Sequence, residues 1–325
     1  RSANHYCELL FQEMKDDSFL KTFDEVFFEI YFEYLFFQNQ YLTQDQKRIR
    51  LSVPGILKRI VENFEYKEKE IAVDFKNCAG VKCQHFENCS YTQGIAIAKE
   101  AHIIVGNHAL MYHWPRGVER PNYLIIDEAH RLEDETTGAF TKELPESDFV
   151  KMIGNLDMGQ PMGSLLFLLD SASLEIKNQI RLNAKSFASK LKDQTDSLTL
   201  LIEAFFKKTQ KYTSEYWNEI PMIDESKQND ELTVSILNKL KNIKVLLSDC
   251  VGELEKYESF FDKNTTIPNE VVALTHYEVF SEQLKLSLDI FTSLFDDAAT
   301  FSKSIGYHEA KGFLFKIEPI DVGSF

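Results

Sequence analysis

No apolar run in the chain approaches the roughly 20 residues needed to cross a bilayer. The opening Arg1-Ser-Ala-Asn-His-Tyr6 holds neither a basic leader nor an apolar signal core. A membrane span is therefore not expected, and the cytosol is the expected compartment. Nowhere does Gly-x-x-x-x-Gly-Lys-Ser/Thr occur, the loop whose amides and lysine cradle nucleotide phosphates, so the chain alone is not expected to hydrolyse ATP. A Ser-His-Asp pattern and a nucleophile elbow are both missing, as are the clustered carboxylates of a two-metal nuclease. Basic residues are scarce as well: 36 Lys and Arg against 51 Asp and Glu give a net charge of −15. That balance argues against a broad nucleic-acid surface, because counterion release from phosphates needs clustered cations. Any DNA path must be local or completed by other sequence.

What is present is ordinary globular material, 325 residues with 44% hydrophobic and 27% charged, long enough for two or three compact units. The charge is uneven. Residues 8–40 carry eight carboxylates against Lys15 and Lys21, whereas residues 41–90 carry nine Lys and Arg against seven Asp and Glu. Without repeats or low-complexity stretches, divisions come from changes of hydrophobic period and from cysteine placement. Residues 1–91 read as a polar, aromatic, mostly helical module bracketed by cysteines. Residues 92–140 contain two short apolar runs, Ile103-Ile-Val105 and Tyr123-Leu-Ile-Ile126, of the kind that form parallel strands buried on both faces. A helix over Gly94–Lys99 precedes the first run, and a Trp114-Pro-Arg-Gly117 turn lies between them. This region is expected to be a slice of an α/β domain.

Residues 141–311 change to a helical period. Ile236, Leu240, Ile243, Leu247, Cys250, Leu254 and Tyr257 recur at spacings of four and three. Tyr277, Phe280, Leu284, Ser287, Phe291, Leu294, Ala298 and Phe301 make a second stripe. Stripes of this kind pack helix on helix, and Pro221 and Pro268 punctuate the gaps, so a helical bundle is expected. Residues 312–325 are expected to turn back toward the α/β domain.

The second apolar run ends in Asp127-Glu-Ala-His130. In a nucleotide-hydrolysing domain a carboxylate at the end of a buried strand holds Mg2+, usually through water, and the ion bridges the terminal phosphates. Asp127 stands at that position. Glu128 beside it is placed to orient and deprotonate the attacking water, and His130 to relay nucleotide state by hydrogen bonding. The competing reading is that both carboxylates only cap a following helix.

Cys78, Cys83 and Cys89 are separated by four and five residues, and Cys7 lies far upstream. Four thiolates at this loose spacing suit an iron–sulfur cluster, while structural zinc usually uses Cys-x2-Cys knuckles, which this chain lacks. Spacing alone leaves both metals open; disulfides are not expected in a cytosolic chain. Cys250 falls in a helical stripe and reads as a core thiol. His85, His102, His108 and His113 read as structural histidines.

The order of these segments carries a resemblance. Ser2-Ala-Asn-His-Tyr-Cys7, Asn77-Cys-Ala-Gly-Val-Lys-Cys83, Cys89-Ser-Tyr91, Ala101-His-Ile-Ile-Val-Gly-Asn-His-Ala-Leu110 and Leu124-Ile-Ile-Asp-Glu-Ala-His-Arg-Leu132 together resemble the XPD/DinG family of iron–sulfur helicases, most nearly its bacterial DinG branch. The motifs span about residues 2–135; beyond them the likeness is one of architecture. The resemblance implies that Cys7, Cys78, Cys83 and Cys89 hold a 4Fe-4S cluster and that Asp127, Glu128 and His130 belong to motif II of an ATP- and Mg2+-dependent motor. It also implies a partial RecA-like parallel-sheet domain interrupted by the helical cluster module (1–91) and followed by a helical Arch (141–311). Members of the family translocate 5′ to 3′ on single-stranded DNA and part duplex junctions. The chain is then an internal piece, its phosphate loop upstream and its second motor domain downstream.

Local candidates for DNA phosphate contact are Lys47, Arg48, Arg50, Lys58 and Arg59 in the cluster module. The dense cluster Phe23, Phe27, Phe28, Tyr31, Phe32, Tyr34, Leu35 and Phe36 reads as a buried helix face before it reads as a base-stacking platform. An alternative of a different class is a non-catalytic, metal-containing module that binds nucleic acid or protein, in which Asp-Glu-Ala-His is incidental.

Overall fold

The computed structural model describes residues 6–16, 22–38, 55–61, 64, 67–68, 71–72, 78, 81, 83, 85–115, 117–157, 159–169, 173–208, 216–221, 231–265, 267–296 and 301–320. The chain divides into two compact units, Arg1–Ile125 with Thr266–Thr275, and Ile126–Thr265 with His276–Phe325.

In the first unit, helices α1 (Glu8–Asp16) and α2 (Phe23–Gln38) are followed by a single turn, α3 (Leu57–Ile60). A reciprocal cap starts α2: Glu25 N–H donates to Thr22 Oγ1 at 3.3 Å and Thr22 N–H donates to the Glu25 carboxylate at 2.8 Å. That amide first, and Lys67 second, hold the Glu25 carboxyl below its ordinary range. Phe28 and Phe32 of α2 are buried with Tyr6, Phe11, Phe64 and Ile71. Edge-on rings at 4.9 Å (Tyr6–Phe32) and 5.2 Å (Phe28–Phe64) make this an aromatic core. The helix face expected to be buried is thus only partly so, since Phe27 and Tyr34 are exposed.

Helix α4 (Ser90–Glu100) covers the expected Gly94–Lys99 segment, and α5 (His108–Tyr112) follows the first apolar run. The two runs themselves differ from expectation. Ile103 and Val105 are 81% and 93% exposed, Tyr123 and Ile125 are 91% and 96% exposed, and neither run is a strand. An apolar run becomes a strand only where a neighbour accepts and donates its backbone hydrogen bonds. Among the described residues these runs have no such neighbour, so the expected parallel sheet is not formed there.

The second unit is a helical bundle with a sheet. Its elements are α6 (Leu132–Phe140), β1 (Lys142–Pro145), α7 (Glu146–Leu156), α8 (Gln160–Leu168), α9 (Leu174–Lys207), β2 (Asn218–Pro221), α10 (Glu231–Tyr257), α11 (Pro268–Ser293, in this unit from His276 on), β3 (Phe301–His308) and β4 (Gly312–Pro319). Ser173 caps α9 by accepting from Ile176 N–H at 3.3 Å. The buried stripe of α9 (Ile180, Ala184, Ala188, Leu191, Thr195, Leu198, Ile202, Phe206) lies in one core with the expected stripe of α10. Asn183 near the start of α9 bonds Glu253 near the end of α10 at 2.9 Å, so the two helices run antiparallel.

The second expected stripe is helical only as far as Ser293. Tyr277, Phe280, Leu284, Ser287 and Phe291 are buried on α11, but Phe301 begins β3; Ala298 lies outside the described residues. The mixed α/β character comes from a four-stranded antiparallel sheet in the order β1-β4-β3-β2, not from parallel strands. Strand β4, drawn from the segment expected to turn back toward the α/β domain, pairs with β3 along its whole length and with β1 (Leu144 opposite Phe315). Phe313, Phe315 and Ile317 alternate into the bundle core, as a strand with one buried face requires. Residues 321–325 lie outside the description. Among the described residues no helix is long and apolar enough to cross a membrane.

One close approach fixes the hairpin to α7. Glu146 Oε2 accepts from Phe313 N–H at 3.0 Å, Glu146 Oε1 accepts from the Thr199 hydroxyl at 2.8 Å, and Gly312 adopts φ 74° beside that carboxylate. A methyl group at Gly312 would lie 1.9 Å from Oε2 in a backbone region that costs an L-residue about 1–2 kcal/mol. Gly312→Ala is therefore expected to destabilise the second unit by at least about 2 kcal/mol, strain and clash together, measured as a lowered urea midpoint with an unchanged slope. An unchanged midpoint would show that the hairpin is not held by this contact.

Candidate functional site

The cysteine site is built from two helix starts and one tight turn. Cys7 precedes α1, and its carbonyl accepts from Phe11 N–H at 3.1 Å; Cys89 precedes α4, and its carbonyl accepts from Gln93 N–H at 3.0 Å. Both cysteines thus stand at helix starts. Between Cys83 and Cys89 the chain makes a 3-10 turn, Phe86–Asn88. The Thr92 hydroxyl, 2.6 Å from Phe86 O and 3.0 Å from Cys89 O, closes that turn onto α4.

Cys83 lies at the centre of this arrangement. Burial pushes its thiol up, the backbone N–H of His85 donates to the sulfur and opposes that rise, and the charges of Cys89, Cys78 and Glu8 add to it. Glu8 is the residue after Cys7, and its carboxylate stands 3.6 Å from His85 Nδ1. Residues from both ends of the module therefore meet at one place. Cys7, Cys78, Cys83 and Cys89 are all half-buried and free of disulfides.

Among the described residues no three His, Cys, Asp or Glu side chains close on a point that would hold a single ion. The donor set, four soft thiols with an amide directed at one sulfur and two helix starts, fits a thiolate-bound cluster in its chemistry. His85 faces Glu8.

The fold commits one of the basic candidates. Lys58 Nζ lies 3.1 Å from Glu68, a fully buried carboxylate that also accepts from the Tyr6 hydroxyl at 2.6 Å. Lys58 is thus the counterion of a buried acid. Arg59 is exposed, and Lys47, Arg48 and Arg50 lie outside the described residues. Sequence reasoning missed Glu68 altogether: its partners stand 62 and 10 positions away, and nothing local marks one glutamate of a charged stretch as buried.

Asp127, Glu128 and His130 form an exposed turn directly before α6. Glu128 has φ 52° and ψ 42°, the only left-handed residue other than glycine among those described. Its own N–H donates to Asp127 Oδ1 at 2.8 Å, its carbonyl accepts from Arg131 N–H at 2.9 Å, and its carboxylate is 3.4 Å from His130 Nδ1. Asp127 and His130 are thereby both tied to Glu128 in one hydrogen-bonded turn. Neither Glu128, which precedes the 3-10 turn Ala129–Arg131, nor Arg131, which precedes α6, makes a side-chain capping hydrogen bond.

Cys250 is wholly buried in α10, and burial, followed by the charge of Glu253, pushes its thiol up to about 12. In metal-free protein at pH 8, a thiol-specific chromogenic reagent is expected to react quickly with four cysteines and with Cys250 only on unfolding. Quick loss of all five thiols would contradict the burial of α10.

No protein-family model matches the chain, and no curated protein matches it. The reading of the site therefore rests on its own residues.

Proposed function

We propose that this chain is the segment of an ATP-dependent 5′-to-3′ DNA helicase that carries its iron–sulfur module, its Asp-Glu-Ala-His motif and its helical Arch. The observation that carries the reading is Glu128, held left-handed between Asp127 and His130 at the end of the apolar run Tyr123–Ile126. A strained non-glycine residue persists where its neighbours over-determine it, and such residues gather at functional turns. In this reading Asp127 would hold Mg2+, which would neutralise charge on the terminal phosphates, Glu128 takes the proton of the water that attacks the terminal phosphate, and His130 reports the state of the nucleotide through its contact with Glu128. The exposed apolar runs at 103–105 and 123–126 support the same reading, because buried parallel strands are apolar on both faces and remain exposed until neighbouring strands cover them.

Cys7, Cys78, Cys83 and Cys89 would hold a 4Fe-4S cluster, which supplies a rigid anchor for the module beside the path of single-stranded DNA. The phosphate loop and second motor domain are assigned to other parts of the protein, and the catalytic step to the whole. Arg59 is the exposed cation of the module that remains a candidate for the DNA backbone, together with Lys47, Arg48 and Arg50.

Two measurements test the proposal. Anaerobically purified chain is expected to be brown, with broad visible charge-transfer absorption that Cys83→Ser abolishes; a colourless protein with stoichiometric zinc would favour the non-catalytic binding module instead. In the longer protein, Glu128→Gln is expected to lower DNA-stimulated ATP hydrolysis by about 100-fold or more while nucleotide binding persists. Hydrolysis at the unmutated rate would remove Glu128 from the chemistry.

A further inference from the structure

Cys7 is the outlying member of the cysteine set, 71 positions before Cys78. A ligand so distant in sequence must be brought to the site by something other than its neighbours, and the cost of closing the intervening loop must be met by contacts in the folded module. Two kinds of contact meet at this point. On the backbone, Cys7 N–H donates to Ile71 O at 2.7 Å, and Tyr6 forms an antiparallel bridge with Ala72. On the side-chain side, Tyr6 places its ring against Phe32 and its hydroxyl 2.6 Å from Glu68 Oε1, while Lys58 Nζ reaches Glu68 Oε2 at 3.1 Å.

Glu68 is three positions before Ile71, so one buried carboxylate ties together the residue preceding Cys7, the segment that pairs with it, and α3. A carboxylate removed from water is tolerated only when donors occupy its oxygens, and here each oxygen has one. These bonds and the Cys7–Ile71 backbone bond hold the segment on which Cys7 is mounted.

We infer that Tyr6, Glu68 and Lys58 are positioning residues for the metal centre: they hold Cys7 at the site ahead of metal binding, and their loss makes Cys7 the weak ligand. The inference rests on the proposed cluster and says which residues outside the ligand set govern its retention. Outer partners of metal ligands commonly alter metal retention by about 10–100-fold.

The test uses the full chain purified anaerobically, as wild type, Tyr6→Phe, Lys58→Met, Lys58→Arg and Lys15→Met. Lys15 pairs with Glu33 on α2, so its variant controls for general loosening of the unit. Iron release to a ferrous chelator is followed alongside iron content and thermal melting by circular dichroism. Tyr6→Phe and Lys58→Met are expected to release iron about tenfold faster or more, Lys58→Arg to return close to the wild-type rate, and Lys15→Met to match wild type. Tyr6→Phe keeps the ring in the aromatic core, so its effect reports the hydroxyl and not the packing. Wild-type protein with iron, and both Tyr6→Phe and Lys58→Met releasing it at the wild-type rate, would overturn the positioning role alone. Equal acceleration by Lys15→Met would also overturn it, by showing that any loosening suffices. Wild-type protein without iron would overturn the cluster and this inference with it.

Discussion

A carboxylate that leaves water must meet donors, and in the first unit that requirement falls on Glu68. Its burial is what ties Tyr6, the residue before Cys7, to the short helix α3 and to the strand-like contact at Ile71 and Ala72. Around it the core is made of rings, with Phe28, Phe32 and Phe64 filling the space that a small helical unit has to close. The polar anchor and the aromatic core do different work: packing stabilises the unit, whereas the buried acid specifies where one backbone segment lies. Breaking a buried ion pair by removing one partner typically costs several kcal/mol, about 3–5, because the other charge stays behind. The same contacts decide the position of a thiol, so stability and site geometry are linked here through a single side chain.

The second unit obeys a simpler rule. Two long helices, α9 and α10, face each other antiparallel through stripes at spacings of three and four, and a sheet lays Phe313, Phe315 and Ile317 against them. Glu146 joins the layers, bonding the hairpin through Phe313 N–H and α9 through Thr199. Tyr277, buried and bonded to Leu254 O and Glu258, stitches α11 to α10, and its hydroxyl is driven far above its ordinary range by burial and then by the charge of Glu258. Thr199, Asn183 and Tyr277 are paired inside this bundle, whereas Gln194 Oε1 of α9 is buried without a hydrogen-bond partner.

The α10 stripe was legible because helical spacing is local: Ile236 to Tyr257 repeat every three or four positions, and each is buried. The hairpin was not read, although its signal was there. Phe313, Phe315 and Ile317 alternate, but Phe301 also extends the period of α11, and a spacing argument alone does not say where a helix stops. The apolar runs at 103–105 and 123–126 were read as parallel strands from composition. Pairing is non-local, however, and among the described residues neither run pairs as a strand. Of the site, the cysteines and the acidic turn were marked by residue type and order. The Tyr6–Glu68–Lys58 anchor was not, since a buried acid looks in sequence like any other, and Lys58 was read as a candidate phosphate contact for the same reason.

The proposed metal centre draws four thiols from two ends of one module. X-ray absorption at the iron edge of anaerobically purified chain tests that most directly. The expected result is iron surrounded by sulfur alone, with a short iron–iron distance that only a cluster produces. Iron with nitrogen or oxygen neighbours, or a zinc edge with no iron, would contradict it.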